Sequence, residues 1–255
     1  MNTHSNLKSR LISALLLTMA TVPAAMGQSV NISSGSGGNF SVGSMSGGTV
    51  IVNGVIVSGS SGSIVGTGPE KAEVRKVGLF TGLRLEAPAN VSYTVGGPPL
   101  LTVSAQANIL PLVTAVVENG LLVISIKGSV TLSEPIKVVA SGPNLNDLRS
   151  MGTGTISLRG ASGSEMRVKV SGSGAVAVSG LVGRLVANVN GSGDLDASAL
   201  KSNVVEATVS GSGGVKAYAS KEARTDVSGS GSIQILGQPA QRHIEKSGSG
   251  QVAFR

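Results

Sequence analysis

No cysteine occurs in this chain, which removes disulfides, thiolate metal sites, cysteine nucleophiles and the lipid-attachment site of a bacterial lipoprotein. Tryptophan is missing as well, and 2 tyrosines with 3 phenylalanines are the whole aromatic content. Compact mixed α/β cores lean on aromatic volume, so a core here must be assembled from Val, Leu, Ile and Ala. Histidine occurs only as His4 and His243, too few for a histidine metal site. Charged residues make up 13% of the chain, and 20 Lys plus Arg exceed 13 Asp plus Glu without forming a basic block or alternating with aromatics. That pattern disfavours nucleic acid as a partner and leaves only a weak attraction to acidic glycans or anionic surfaces.

What is present divides into three stretches. Lys8 and Arg10 precede the apolar run "LISALLLTMATVPAA", and Ala25-Met26-Gly27 puts small residues at −3 and −1 of a cleavage site. Residues 1–27 therefore read as a signal peptide cut after Gly27, on a protein exported to the periplasm, the cell surface or the medium. The run is too short for a spanning helix and contains Pro23, so no membrane span is expected in the mature chain. Residues 28–68 are rich in Gly, Ser and Val. Within them Thr49–Val52 and Val55–Val57 flank Asn53-Gly54, a strong hairpin signal over 49–57. A lone hairpin is marginal in water, so it either docks or forms an arm, and the composition favours the arm.

Residues 70–255 read as one all-β domain. "LRLEAPANVSYTVG", "PLLTVSAQ", "LLVISIKG" and "PIKVVASG" are short alternating runs bounded by Gly, Pro and Asn, each a strand. Only Ile109–Glu118 hints at a helical period, and Pro111 argues against it. From residue 150 a repeat sets in. Gly-x-Gly pairs stand at 152/154, 172/174, 191/193, 211/213, 229/231 and 248/250, spaced 20, 19, 20, 18 and 19 residues, with Ser or Thr always between. Two residues beyond each pair lie Ile156, Val176, Leu195, Val215, Ile233 and Val252; four beyond lie Leu158, Val178, Ala197, Ala217, Ile235 and Phe254. Every one is apolar, while the column between them, including Asp196, Lys216 and Gln234, is mostly polar or small. Ahead of the pairs, Val168, Ala187, Ala207, Thr225 and Ile244 form a further inward column, with Lys169, Asn188, Thr208, Asp226 and Glu245 facing water.

Two folds satisfy these columns. In a single-stranded parallel β-helix, or solenoid, each repeat is one coil of about 18–20 residues, like side chains stack every ~4.8 Å, and glycine permits the sharp corner. In an antiparallel meander the same Ser-Gly-Ser-Gly would be a hairpin loop. The alanine-lined columns suit a narrow interior and favour the solenoid, with right-handed coils expected from the handedness of parallel connections.

The residues from Arg75 to Arg255 resemble the head GIN domain family of putative autotransporter adhesins. The resemblance is carried by the order of "GLFTGLRLEAPANVSYTVG", "VVENGLLVISIKG", "PIKVVASGPNLNDLRSMGTG" and the serial "SGSG" corners. It implies a parallel β-helix on a secreted or envelope protein and attaches no catalytic residues. The segment before Arg75 departs from the family, and no C-terminal membrane barrel follows, so a separate export route is expected.

Few residues qualify for chemistry. Asp194 and Asp196, at i and i+2 of a strand, share a face and are the nearest approach to paired carboxylates, for a hard cation or for acid–base work on a glycan. Lys216, one repeat along from Asp196, points instead to a solvated ladder pair. Arg167, Lys169 and Asp226 read as outward strand positions, and His243 as a surface residue. Thr153, Ser173, Ser192, Ser212, Ser230 and Ser249 line one edge, where a hydrogen-bonded structural ladder is favoured over a ligand-facing hydroxyl row. Lys246 entering an inward column and Phe254 near the terminus mark a closed C-terminal end. No catalytic, cofactor or metal residue is assigned and no cofactor is expected. The reading is a non-enzymatic, adhesin-like surface protein whose partner is a glycan or another envelope component; the alternative is a β-helix lyase or hydrolase acting on acidic polysaccharide.

Overall fold

The structure, a computed structural model, describes residues 63–255 in full and, ahead of them, the backbone of four strands. The signal-peptide reading of residues 1–27 lies outside the described residues. Strands β1 (Ile32–Ser34) and β2 (Phe40–Val42) pair antiparallel in a small unit of their own. The larger unit begins with β3 (Thr49–Val52), β4 (Val55–Ser58), β5 (Ser63–Val65), β6 (Glu70–Arg75), β7 (Gly82–Leu85) and β8 (Ala89–Gln106). A 3-10 turn at Leu110–Leu112 follows, and then β9 (Val113–Glu118), β10 (Leu121–Ile126), β11 (Val130–Thr131), β12 (Ile136–Gly142) and β13 (Asp147–Ser150). Four long strands come next: β14 (Thr155–Gly172), β15 (Ala175–Gly191), β16 (Asp194–Gly211) and β17 (Gly214–Gly229). The chain closes with β18 (Ser232–Leu236), β19 (Gln241–Ser247) and β20 (Gln251–Phe254).

The repeat is a parallel solenoid. Each long strand bends through a whole coil and pairs in parallel with the next, so that Val176 lies on Leu195, Leu195 on Val215, Val215 on Ile233 and Ile233 on Val252. Val91 and Ile156 extend the same file below. Its members from Val91 to Ile233 are buried, and Val252 packs on the core from the last rung. A second file runs Leu83, Leu148, Val168, Ala187, Ala207, Thr225, Ile244. Thr225 is buried in it without penalty, because its hydroxyl donates to the carbonyl of His243 one coil above, at 3.2 Å.

Glycine is required at the corners for two separate reasons. Gly211 sits at φ 125, open only to a residue without a side chain, and its carbonyl accepts hydrogen bonds from both Ser230 N–H (2.9 Å) and Gly231 N–H (2.8 Å) of the next coil. Gly213 needs bare backbone, since a Cβ there would stand 2.1 Å from the carbonyl oxygen of Gly193 in the coil below.

Ahead of residue 155 the coils are irregular. β8 doubles back at Gly96 and Gly97 so that β12 lies between its halves, with Val138 facing Val91 on one side and Val103 on the other. β6 continues that sheet antiparallel to the second half of β8, and β9 pairs antiparallel with β10 across an Asn119-Gly120 turn, both residues at positive φ. The hint of a helix at Ile109–Glu118 becomes one 3-10 turn followed by strand β9. Over the 49–57 hairpin, β3 and β4 pair antiparallel, β4 pairs with β5, and β5 pairs in parallel with β11.

At the other end, Arg242, Ile244 and Lys246 occupy the last rung of inward columns and are exposed, with the Arg242 guanidinium 4.7 Å over the ring of Phe254. Long stems cover the apolar end of the stack while their charges stay in water.

Two expectations follow for thermal or denaturant unfolding. Gly213→Ala should lose about 2 kcal/mol or more, because the obstructing atom is backbone and cannot rotate away. Leu195→Asp should prevent folding by placing an unpaired carboxylate in the file, whereas Gln234→Asp, outward beside Lys216, should stay within about 0.5 kcal/mol of the parent. A large loss at Gln234 would mean the faces are reversed.

Candidate functional site

Because the coils stack in register, every outward column becomes a straight row of side chains. The sheet formed by β13 to β17 and β19 carries four such rows, the fourth of them Glu165, Arg184, Val204, Glu222 and Gln241. Asp147, Arg167, Val186, Glu206, Arg224 and His243 form the first, and Arg149, Lys169, Asn188, Thr208, Asp226 and Glu245 the second. The third is Ser171, Asn190, Ser210, Ser228 and Ser247. Ion pairs tie neighbouring rungs and i, i+2 positions: Arg184 with Glu206, Arg167 with Glu165, Arg224 with Glu222 (2.7 Å), and Arg149 with Asp147 (2.6 Å). The carboxylates of Asp147 and Glu206 hold the guanidiniums of Arg149 and Arg184 above their usual range.

Arg84 joins this face below Arg149 through the parallel pairing of β7 with β13. Arg84, Glu118, Asp147, Arg149 and Arg167 line a shallow cleft of about 300 Å³. Sequence reasoning missed it, since residues 84 and 149 lie before the regular repeat and meet only through the fold. A second cleft of about 370 Å³, lined by Glu222, Arg224, Gln241, Arg242 and His243, lies at the last coils.

Asp194 and Asp196 are both exposed on one strand face, as the spacing predicts. Asp196 is held mainly by Ser198, whose hydroxyl (2.5 Å) and N–H (3.0 Å) both donate to Oδ1. Those bonds push its carboxyl below the usual range, Lys216 adding only a minor attraction. The ladder pair expected with Lys216 is thus secondary to a local turn, and a carboxyl held ionised this way is a poor general acid. His243 is exposed, with Nε2 2.9 Å from Glu245. Arg167, Lys169 and Asp226 face solvent. Among the described residues no group of three or more potential metal ligands converges.

The edge row departs from expectation. Thr153, Ser173, Ser192, Ser212, Ser230 and Ser249 are all exposed, and only Ser230 and Ser249 join hydroxyls, at 3.1 Å. The corner is held by backbone hydrogen bonds, which leaves the hydroxyls free to face outward. Tyr93 is a structural residue: burial pushes its phenol up to about 12, and its hydroxyl donates to the Pro143 carbonyl at 2.7 Å.

The family described as "Putative auto-transporter adhesin, head GIN domain" matches residues 79–239. No curated protein matches the chain. Among solved structures, a putative adhesin from Bacteroides fragilis NCTC 9343 is 22% identical, covers 76% of this chain and 100% of its own, and superposes with a TM-score of 0.63. A putative adhesin from Parabacteroides merdae ATCC 43184 is 15% identical over 77% of this chain and 100% of its own, with a TM-score of 0.52. A putative lipid binding protein from Parabacteroides distasonis ATCC 8503 is 21% identical over 76% and 99%, with a TM-score of 0.49.

Removing the Ser198 hydroxyl tests the account of Asp196. In Ser198→Ala the Asp196 carboxyl should titrate at higher pH than in the parent, by NMR. A depressed carboxyl stabilises the fold above the unfolded-state value, and that contribution disappears as pH falls through the folded value. The stability gap between parent and variant should therefore be present at neutral pH and vanish in acid.

Proposed function

The chain belongs to the putative auto-transporter adhesin, head GIN domain family, and from that premise we propose that it is an exported, non-enzymatic surface-interaction protein that binds an extended, polar or acidic polymer such as a glycan. The observation that carries this reading is the set of straight outward rows, in which charged, hydroxyl or amide groups recur from rung to rung at a spacing of ~4.8 Å. Such rows let a long partner add one contact set per coil, and they converge on no single reacting atom.

The aromatic residues narrow the partner. Phe80 and Tyr93 are buried, Tyr218 is covered by the Lys201 ammonium at 3.8 Å, and Phe254 lies under Arg242. Two of these rings are buried and the other two each carry a cation over one face, so hydrogen bonds and charge are expected to supply most of the attraction. Export rests on the segment around Lys8, Arg10 and Ala25-Met26-Gly27.

A glycan array run beside a uronate-release assay on the secreted protein, whose N-terminus is expected at Gln28, tests the proposal. Binding to acidic glycans that weakens with salt, without release of product, is the expected result. Turnover that disappears in Asp196→Asn would replace it with the polysaccharide-active enzyme.

A further inference from the structure

We propose that the sheet face of β13 to β17 and β19 is a self-association surface, pairing two copies of this chain face to face with their coil stacks antiparallel. The central row of that face reads Arg149, Lys169, Asn188, Thr208, Asp226, Glu245 in consecutive rungs. Its charges run plus, plus, neutral, neutral, minus, minus. A two-fold axis lying parallel to the strands between Asn188 and Thr208 inverts the order of the rungs. It brings Lys169 opposite the partner's Asp226 and Arg149 opposite the partner's Glu245, each contact occurring twice. An unrelated partner would impose no such antisymmetry about the centre of the row, whereas a second copy of the same chain requires it.

Within one chain two of these charges, Lys169 and Asp226, are left over, whereas Arg149 pairs with Asp147 and Glu245 lies 2.9 Å from His243. Lys169 and Asp226 are exposed and have no ion-pair partner among the described residues. Three rungs separate them, about 14 Å, so they cannot satisfy each other intramolecularly. On this face the outward charges of residues 165–171 in β14 and 184–190 in β15 sum to a net positive rung each, and those of residues 204–210 in β16 and 222–228 in β17 to a net negative rung each. The serine-rich row beside it is uncharged and adds no repulsion. Arg167 would face the partner's Arg224 and Glu165 the partner's Glu222, two like-charge contacts offset by the Arg167–Glu165 and Arg224–Glu222 pairs, each of which puts its carboxylate diagonally across from the other copy's guanidinium.

In the middle of the central row, Asn188 and Thr208 are uncharged and half-buried, and beside them the Arg184–Glu206 ion pair joins the two middle rungs. Seven residues by six rungs cover roughly 600 Å² per copy, under the ~800 Å² of a standard interface, so the pair should be reversible and concentration-dependent. This inference is independent of the adhesin reading, which would survive a monomeric result.

Sedimentation velocity on the full mature chain tests it. The parent should form a dimer as concentration rises at low salt and dissociate at ~1 M salt, where screening reaches about 3 Å. Lys169→Asp and Asp226→Lys should each weaken the dimer at least about tenfold, because each makes two like-charge contacts. The double variant K169D/D226K should dimerise like the parent, and a mixture of the two single variants should form a heterodimer. Circular dichroism should show all variants folded, since both positions are exposed. A parent that is monomeric throughout, or a dimer indifferent to the single reversals or not restored by the double, overturns the proposal.

Discussion

The contact on which this molecule depends is backbone against backbone at the glycine corners. The carbonyl of Gly191 accepts from the N–H groups of Ser212 (2.9 Å) and Gly213 (3.0 Å), and the carbonyl of Gly211 repeats the arrangement with Ser230 and Gly231. At this distance no Cβ can intervene, so the corner fixes each coil directly on the one below. Register follows from that, and with a side-chain period of two it decides which residues form the interior and which the faces. A core almost without aromatics is sufficient because a coil this narrow is filled by Val, Leu, Ile and Ala, one file per inward column.

Where the sequence is periodic, structure could be read from it directly. The files through Leu195 and Ala207, the outward placing of Lys169 and Asp226, and the solenoid itself all follow from in-register columns. The first coils resisted for a physical reason: β8 folds back around β12 and β9 pairs antiparallel with β10, so no constant repeat length relates Arg84 to Arg149. That is why the arginine-lined cleft was not foreseen. Asp196 shows a smaller failure of the same kind. Column reasoning looks across coils and found Lys216, whereas the stronger partner, Ser198, lies two residues along the same strand. For the edge serines, column reasoning assigned a hydrogen-bonding duty that the backbone already performs.

Stacking also constrains what the protein can do. A solenoid face presents its groups in parallel lines, one set per coil. Such a face suits partners that are long or flat: a polymer laid along the rows, or another face of the same kind. The charged stems of Arg242 and Lys246 at the last rung discourage growth of the stack by end-to-end pairing, leaving the sides for interaction.

Methyl–methyl NOE spectroscopy on the folded chain tests the stacking most directly. Neighbouring coils at about 4.8 Å should give strong cross-peaks from Val176 to Leu195, Leu195 to Val215 and Val215 to Ile233, and none from Val176 to Ile233, three rungs away. Missing cross-peaks within the first three pairs, or Leu195 contacting residues on the opposite face of its own strand's neighbours, would contradict the stacked coil.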